Sequence, residues 1–179
     1  MKAKITIKDK QFGILVPSEI IRDTVAAMAD KMNTDLKGKN PLFIAVLNGS
    51  FLFAADLLKR ISVACEISFI KVSSYSGTSS TGKVNELIGL GREIRNRTIV
   101  VLEDIVDSGA TLETIHAGLK MKDPKEIKTA TLLLKPAVYR KKIKLDYVGM
   151  SVPDIFLVGY GLDYDGYGRN LTDIYSLKK

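Results

Sequence analysis

Residues 99–112 read Ile99-Val100-Val101-Leu102-Glu103-Asp104-Ile105-Val106-Asp107-Ser108-Gly109-Ala110-Thr111-Leu112. The stretch opens with four apolar residues, which is long enough for a strand enclosed on both faces, as in a parallel sheet. From Leu112 onward, apolar residues recur at helical spacing. The stretch therefore predicts a strand, a tight turn and the start of a helix. Open α/β sheets bind their ligands at such places, past the carboxyl ends of the strands.

The predicted turn has two chemical halves. Residues 107–111 combine small side chains, two hydroxyls and consecutive backbone N–H groups at a helix N-terminus, which suits a phosphate. Glu103 and Asp104, just upstream, would repel a phosphate and instead suit ribose hydroxyls and a hard cation such as Mg²⁺. Together the halves predict a site for a ribose 5-phosphate. The alternative is an ordinary strand end with a capping residue and solvated acids.

A second strand–turn–helix pattern lies earlier in the chain. Residues 42–47 are a buried-strand run, followed by Asn48-Gly49-Ser50 and by apolar residues at helical spacing. From the residues alone, this turn fits a second anion and an ordinary glycine turn equally well. Residues 18–35 carry one apolar face, which predicts an amphipathic helix with Ser18 as its N-cap. Further strands are expected at residues 5–7, 64–72, 84–90, 126–134, 146–150 and 153–160.

Composition limits the classes of function. A chain of 179 residues is long enough for one domain with its own core. The single cysteine, Cys65, permits no internal disulfide and fits a reducing cytoplasm. No apolar run approaches the length of a membrane span, and no signal peptide is evident. The net charge of +7 is spread along the chain, so a polyanionic small substrate explains it as well as nucleic acid does.

The 99–112 stretch closely resembles the phosphoribosyl-diphosphate (PRPP) binding motif of type I phosphoribosyltransferases. From about Leu47 to Arg169 the chain resembles the 6-oxopurine branch of that family. The resemblance implies an α/β fold with a mostly parallel central sheet flanked by helices, a small hood and a flexible lid loop. It implies one domain over 1–179, with a core at about 18–150 and a lid at about 73–83. The hood would comprise the N-terminal strand and about 151–179.

The resemblance also assigns roles to residues. For the reaction itself, our own hypothesis is that Asp107 is the catalytic base at purine N7. The expected ribose 5-phosphate site is Glu103, Asp104, Asp107, Ser108, Gly109, Ala110 and Thr111. The expected purine site is Lys135, Phe156, Leu157 and Asp163. The expected metal ligands for Mg²⁺ are Glu103, Asp104 and Asp163. The expected diphosphate site is Asn48, Gly49 and Arg169, and the expected lid residues are Ser74 and Tyr75.

Two of these positions carry particular weight. Lys135 follows the strand at 126–134, and from the residues alone a solvated loop lysine is an equal alternative. In the family, the matching lysine donates to the oxygen on purine C6, which marks the 6-oxopurine branch. Many relatives carry Lys or Arg where Asn48 stands, so diphosphate contact here would rest on backbone N–H groups. The family also implies a cis peptide bond between Leu47 and Asn48.

The implied activity is Mg²⁺-dependent transfer of 5-phosphoribosyl from PRPP to N9 of hypoxanthine, and of guanine, giving IMP or GMP and diphosphate in purine salvage. The implied protein is a cytoplasmic homo-oligomer, a dimer or tetramer, without membrane or nucleic-acid partners. The alternative is a PRPP-sensing, nucleic-acid-binding regulator of the same fold. A Rossmann-type nucleotide module lacks support, because no G-x-G-x-x-G follows a strand.

Overall fold

The structure is a computed structural model that describes residues 4–73, 85–88 and 90–178. In chain order its elements are β1 (Lys4–Ile7), β2 (Lys10–Val16), α1 (Ser18–Asp35), β3 (Leu42–Leu47), α2 (Phe51–Leu58), β4 (Glu66–Ser73), β5 (Asn85–Ile88), β6 (Thr98–Val106), α3 (Ala110–Lys120), β7 (Glu126–Leu134), β8 (Tyr147–Ser151), β9 (Leu157–Val158) and β10 (Ile174–Leu177).

The larger of two sheets has six strands in the order β5-β4-β3-β6-β7-β8. All its neighbouring pairs are parallel except β4 with β5, which are antiparallel. The expected mostly parallel sheet is therefore confirmed. Parallel strands end at a common edge, so the turns after β3, β6 and β7 lie side by side. That edge brings Asn48, Asp107 and Lys135 into one region.

Helices cover both faces of this sheet. The apolar side of α1 packs with α2 on one face, and the apolar side of α3 packs on the other. The two central strands, β3 and β6, are buried between these layers, which explains their unbroken apolar runs. The buried residues of α1 are Ile21, Val25, Met28, Ala29 and Met32. Because these residues recur at helical spacing, the sequence predicted the 18–35 helix correctly.

A smaller antiparallel sheet, called the small sheet below, has the order β1-β2-β10-β9. It joins the beginning of the chain to its end, with β10 paired between β2 and β9. The expected strand at 5–7 is present as β1, but the sequence reasoning did not anticipate β2 or β10. The expected strand at 153–160 was too long, because only Leu157 and Val158 form strand there.

The start of α1 differs from the expectation. Pro17, not Ser18, occupies the N-cap position, and no side chain of the cap residue bonds to the helix. Instead, the backbone N–H of Ser18 donates to the Asp173 carboxylate at 2.8 Å. Asp173 directly precedes β10 and is only 4% exposed. The helix N-terminus is thus satisfied by a residue 155 positions away, which sequence spacing does not reveal.

The 99–112 stretch also needs one correction. The strand β6 continues to Val106, so Glu103 and Asp104 belong to the strand and not to the turn. The turn proper is Asp107 to Gly109, and α3 begins at Ala110. Separately, none of the helices in the described part of the chain is long and apolar enough to cross a membrane.

Candidate active site

A cavity of about 250 Å³ opens where β3 and β6 end. The turn from β6 into α3 forms one wall, and the end of β3 with Gly49 forms another. Gly109 occupies the N-cap position of α3 with φ 86°, a backbone conformation that glycine adopts without a steric penalty. The Ser108 hydroxyl accepts a hydrogen bond from the N–H of Ala110 at 3.4 Å. The cavity therefore ends at a helix N-terminus built of small residues, the expected shape for a phosphate.

The loop after β7 supports this turn from behind. The N–H of Arg140 donates to the carbonyl oxygen of Ser108 at 3.4 Å. A Cβ on Gly109 would lie 2.6 Å from the Tyr139 ring, so the ring packs directly against the turn. The Tyr139 hydroxyl in turn donates to the carbonyl of Ile143 at 2.6 Å. Sequence reasoning missed this support, because nothing in residues 139–143 points to the turn.

The two acids of β6 differ from ordinary surface carboxylates. Glu103 is 6% exposed, and burial together with the charge of Asp104 raises the pKa of its carboxyl. Burial also raises the pKa of Asp104, to about 6, although hydrogen bonds to its carboxylate from the backbone N–H groups of Ile105 and Asp104 itself oppose the shift. The charge of Arg169 also lowers this pKa, whereas the charge of Asp163 adds to the upward shift. Ionising these two carboxyl groups therefore costs free energy, and a bound cation or a set of hydroxyl donors would offset that cost.

Lys135 links two acids at the same edge of the sheet. Its Nζ lies 3.2 Å from Oδ2 of Asp107 and 3.3 Å from Oδ1 of Asp154. The lysine side chain is 10% exposed, whereas the two carboxylates are 55% and 53% exposed. Its backbone N–H donates to the Val106 carbonyl at 3.0 Å. Lys135 is thus a buried ammonium beside Asp107, not a solvated loop lysine, and Asp154 is a neighbour that the sequence did not suggest.

The candidate base-stacking residue, Phe156, lies in the segment between β8 and β9. Phe156 is 45% exposed, and its ring has one buried aromatic neighbour, Phe12, at 6.4 Å between ring centroids. Tyr164 supports it edge-on, with centroids 5.8 Å apart and an interplanar angle of 85°. Leu157 is buried, and it pairs with Ser176 of β10. This arrangement holds one aromatic face open at the protein surface while its other contacts fix the ring.

On the other side of the cavity, the turn after β3 meets the segment after β9. The peptide bond between Leu47 and Asn48 is cis, as expected. The Gly49 backbone lies against the Asp104 carboxylate, and Gly161, with φ 98°, lies against the Gly49 carbonyl, with no room for a Cβ at either glycine. These close contacts join the larger sheet to the segment that carries Asp163 and Arg169.

Asp163 and Arg169 are paired with each other. Nη2 of Arg169 lies 2.5 Å from Oδ1 of Asp163, and Nη1 donates to the Gly161 carbonyl at 2.7 Å. The other carboxylate oxygen of Asp163 accepts from the N–H of Gly166 at 2.7 Å. Both side chains are about one-quarter exposed. The structure thus brings the two residues together near Asp104, whose pKa responds to both charges.

The expected lid residues, Ser74 and Tyr75, lie outside the described residues. Within residues 4–73, 85–88 and 90–178, no group of three or more His, Cys, Asp or Glu side chains converges as a ready-made metal site. A hard divalent cation would therefore take one or two carboxylates here and complete its shell with substrate oxygens and water. That donor set is the usual one for Mg²⁺ at phosphate-bearing substrates, so the residues fit such an ion.

Comparison with known proteins identifies the class. The family model for the phosphoribosyl transferase domain matches residues 14–165, and the chain belongs to this family. It is 40% identical over 167 residues to hypoxanthine-guanine phosphoribosyltransferase of Staphylococcus epidermidis, with 93% of each chain covered. It resembles the crystal structure of a hypoxanthine phosphoribosyltransferase from Staphylococcus aureus, with a TM-score of 0.87 and 38% identity over 92% of this chain and 90% of that one.

A longer relative matches equally well. The chain is 40% identical over 166 residues to the bifunctional protein TilS/HprT of Listeria monocytogenes. That alignment covers 92% of this chain but only 26% of the relative, so the chain spans about a quarter of the bifunctional protein.

Proposed function

We propose that this protein transfers the 5-phosphoribosyl group of PRPP to N9 of a 6-oxopurine, hypoxanthine or guanine. The products are IMP or GMP and diphosphate, and the process is purine salvage. The observation that carries the proposal is the pairing of Lys135 with Asp107 beside the phosphate-shaped turn. A buried donor for an exocyclic oxygen and an acceptor for a ring proton then stand together next to the ribose site. Relatives named for this activity cover nearly the whole chain.

The chemistry follows from these positions. The bond from ribose C1 to the diphosphate oxygen breaks, the bond from C1 to purine N9 forms, and the purine loses its N7 proton. A transition state of this kind has oxocarbenium character at C1. Asp107, which is 55% exposed, accepts the proton, while Lys135 donates to the oxygen on C6. No covalent nucleophile is needed, because holding the two substrates in line accounts for roughly 7–11 kcal/mol of the barrier.

The other residues bind the substrates. The turn from Asp107 to Thr111 holds the 5-phosphate, and Phe156 stacks on the base beside Leu157. The backbone N–H groups at Asn48 and Gly49, with Arg169, bind the departing diphosphate. When bound, Mg²⁺ would neutralise part of the diphosphate charge, held by Asp104 with Glu103 or Asp163. Because Arg169 and Asp163 are paired with each other in the structure, each must exchange that partner for substrate or metal.

The decisive experiment is a spectrophotometric assay with PRPP, Mg²⁺ and each of hypoxanthine, guanine, xanthine and adenine. We expect turnover with hypoxanthine or guanine and at least about 100-fold lower kcat/KM with adenine, because an ammonium donor does not suit an amino group. Absence of turnover with all three 6-oxopurines would overturn the proposal. Salt-dependent binding of nucleic acid in that same preparation would then favour the PRPP-sensing regulator.

Two further properties belong to the proposal. A homo-oligomer, either dimer or tetramer, is expected by family resemblance, and sedimentation equilibrium measures it. A cytoplasmic location is supported by the single cysteine, because one thiol leaves no disulfide to form within the chain.

A further inference from the structure

Lys135 has a second carboxylate partner that the proposed mechanism does not use. Asp154 accepts from its Nζ at 3.3 Å, almost the same distance as Asp107 at 3.2 Å. A lysine ammonium has three N–H donors. Within the part of the chain that the structure describes, these two carboxylates are the only bonded partners of Nζ. Two donors are thus committed to protein, and one is left for a ligand.

The backbone fixes Asp154 next to this lysine. The N–H of Val152 donates to the carbonyl of Leu134 at 2.8 Å, which ties the segment to the end of β7 one residue before Lys135. Pro153 restricts the backbone directly before Asp154, and the N–H of Ile155 donates to the Pro153 carbonyl at 2.9 Å. Main-chain bonds on both sides of Asp154 therefore hold its backbone next to Lys135, and only its short side chain has to be oriented to reach Nζ.

Asp154 also lies two residues before Phe156, the candidate stacking residue. Its bond to Lys135, which directly follows β7, connects the end of that core strand to the segment that carries Phe156. Without Asp154, the Lys135 ammonium would keep only Asp107, and a flexible lysine side chain would swing toward that one carboxylate. The same Asp107 must be free to accept a proton from the base.

We propose that Asp154 is a positioning residue for the 6-oxopurine: it holds the Lys135 ammonium between two carboxylates, so that the third N–H meets the oxygen on C6 of the base. This inference rests on the proposed function and goes beyond it by naming a specificity determinant outside the reacting groups. A purely structural role, neutralising a buried ammonium, is the competing explanation.

The test is Asp154→Ala, measured by steady-state kinetics with each substrate varied in turn. Loss of a charge-assisted bond that orients the donor should raise KM for hypoxanthine about tenfold, while KM for PRPP stays within twofold. Asp154→Glu should recover part of the loss. The matched control is Asp165→Ala, which removes an exposed carboxylate from the same C-terminal segment, where Asp165 pairs only with Lys8 among the described residues. It should leave both KM values unchanged.

Calorimetry separates positioning from folding. Asp154→Ala should weaken binding of inosine 5′-monophosphate about tenfold and leave the affinity for ribose 5-phosphate alone within twofold. In a Lys135→Met background, the same Asp154→Ala change should have no further effect on nucleotide affinity, because the two residues act as a unit. Additive losses, or equal losses for nucleotide and ribose 5-phosphate, would overturn the inference.

The outcomes also separate this inference from the proposed function. A wild-type protein that turns over no 6-oxopurine refutes the proposed function itself. An active wild-type protein whose Asp154→Ala variant keeps its KM for hypoxanthine within twofold refutes the positioning role only.

Discussion

The backbone of Gly49 lies directly against the carboxylate of Asp104, with no space between them for even one methyl group. The contact joins the turn after β3 to the end of β6. We assign the turn after β3 to the diphosphate of PRPP and the end of β6 to its ribose. Asp104 belongs to β6, a strand of the larger sheet, so its backbone is held by the sheet and only its side chain can move away. A change at either residue therefore acts on both halves of the site.

Gly49→Ala should displace either the turn or the Asp104 carboxylate. Overpacking of this kind costs roughly 1–3 kcal/mol, so we expect kcat/KM for PRPP to fall about 5- to 150-fold. Initial rates at varied PRPP measure it. Gly118→Ala is the matched control, because Gly118 lies in α3 with nothing within 4 Å of the added Cβ. It should keep full activity and gain a little helix stability. Equal effects of the two changes would contradict the role of the Gly49 contact.

The raised pKa of Asp104 predicts how stability varies with pH. Its carboxyl has a pKa of about 6 in the folded state against 3.8 in the unfolded state, so the folded state binds more protons between these values. The charged form therefore destabilises the fold above pH 6, and that penalty is relieved as pH falls toward 4. At this incompletely buried site the penalty is about 1–2 kcal/mol.

Asp104→Asn should remove that penalty. With EDTA present, its free energy of unfolding should exceed that of the wild type at pH 7.5 by about 1–2 kcal/mol. The difference should shrink as pH is lowered through 6. Urea denaturation of both proteins across this range measures it. A difference that is constant with pH would show that Asp104 does not titrate in this window.

Much of the architecture was predictable because it rests on local patterns. The α1 helix and β7 have the bounds expected from their apolar spacing, and the central strand–turn–helix lies where the sequence placed it. The small sheet was not predictable in the same way. Its strands β2 and β10 are far apart in the chain, and their pairing depends on tertiary structure that no local period records.

The site shows the same division. The turn at 107–111 can be recognised from its composition and its place after a strand, whereas Lys135 needed the family resemblance in addition to its place after a strand. Asp154 does not, because a single acid beside a proline has the composition of any surface loop. Its contact with Lys135 spans 19 positions and exists only because β8 lies next to β7. The contact of Asp173 with Ser18 was not predicted for the same reason, because it joins residues that are far apart in the chain.

Asp107→Asn tests the proposed general base. Asparagine keeps the size and an acceptor oxygen for Lys135, 3.2 Å away, but it cannot take a proton at neutral pH. We expect kcat to fall roughly 10²–10⁴-fold, with KM for PRPP changed far less. Single-turnover rates at saturating substrates give the chemical step directly. A variant with near-normal kcat would remove Asp107 from this role, whatever happens to KM.

Lys135→Ala tests recognition of the 6-oxo group. Loss of a charge-assisted donor should raise KM for hypoxanthine roughly 10- to 100-fold and reduce the preference for hypoxanthine over adenine. KM for PRPP should stay unchanged. Lys128→Ala is a matched control, since Lys128 is a half-buried lysine of β7 that, like Lys135, lies between two acids, Glu126 at 3.5 Å and Asp146 at 4.0 Å. It lies toward the other end of the strand and should leave both KM values unchanged. Equal losses for both substrates in Lys135→Ala would mark the lysine as structural.

Asp173→Ala tests the contact between the small sheet and the start of α1. The Asp173 carboxylate accepts from the N–H of Ser18 at 2.8 Å and from the hydroxyl of Tyr175 at 3.2 Å, in a nearly buried position. Its removal leaves an uncapped helix N-terminus and a buried donor without its partner, so we expect a loss of about 1–3 kcal/mol in the free energy of unfolding. Urea denaturation measures it, and Asp23→Ala, an exposed acid on the same helix, should change stability by less than about 0.5 kcal/mol. If the two variants unfold at the same urea concentration, Asp173 contributes nothing to the start of α1.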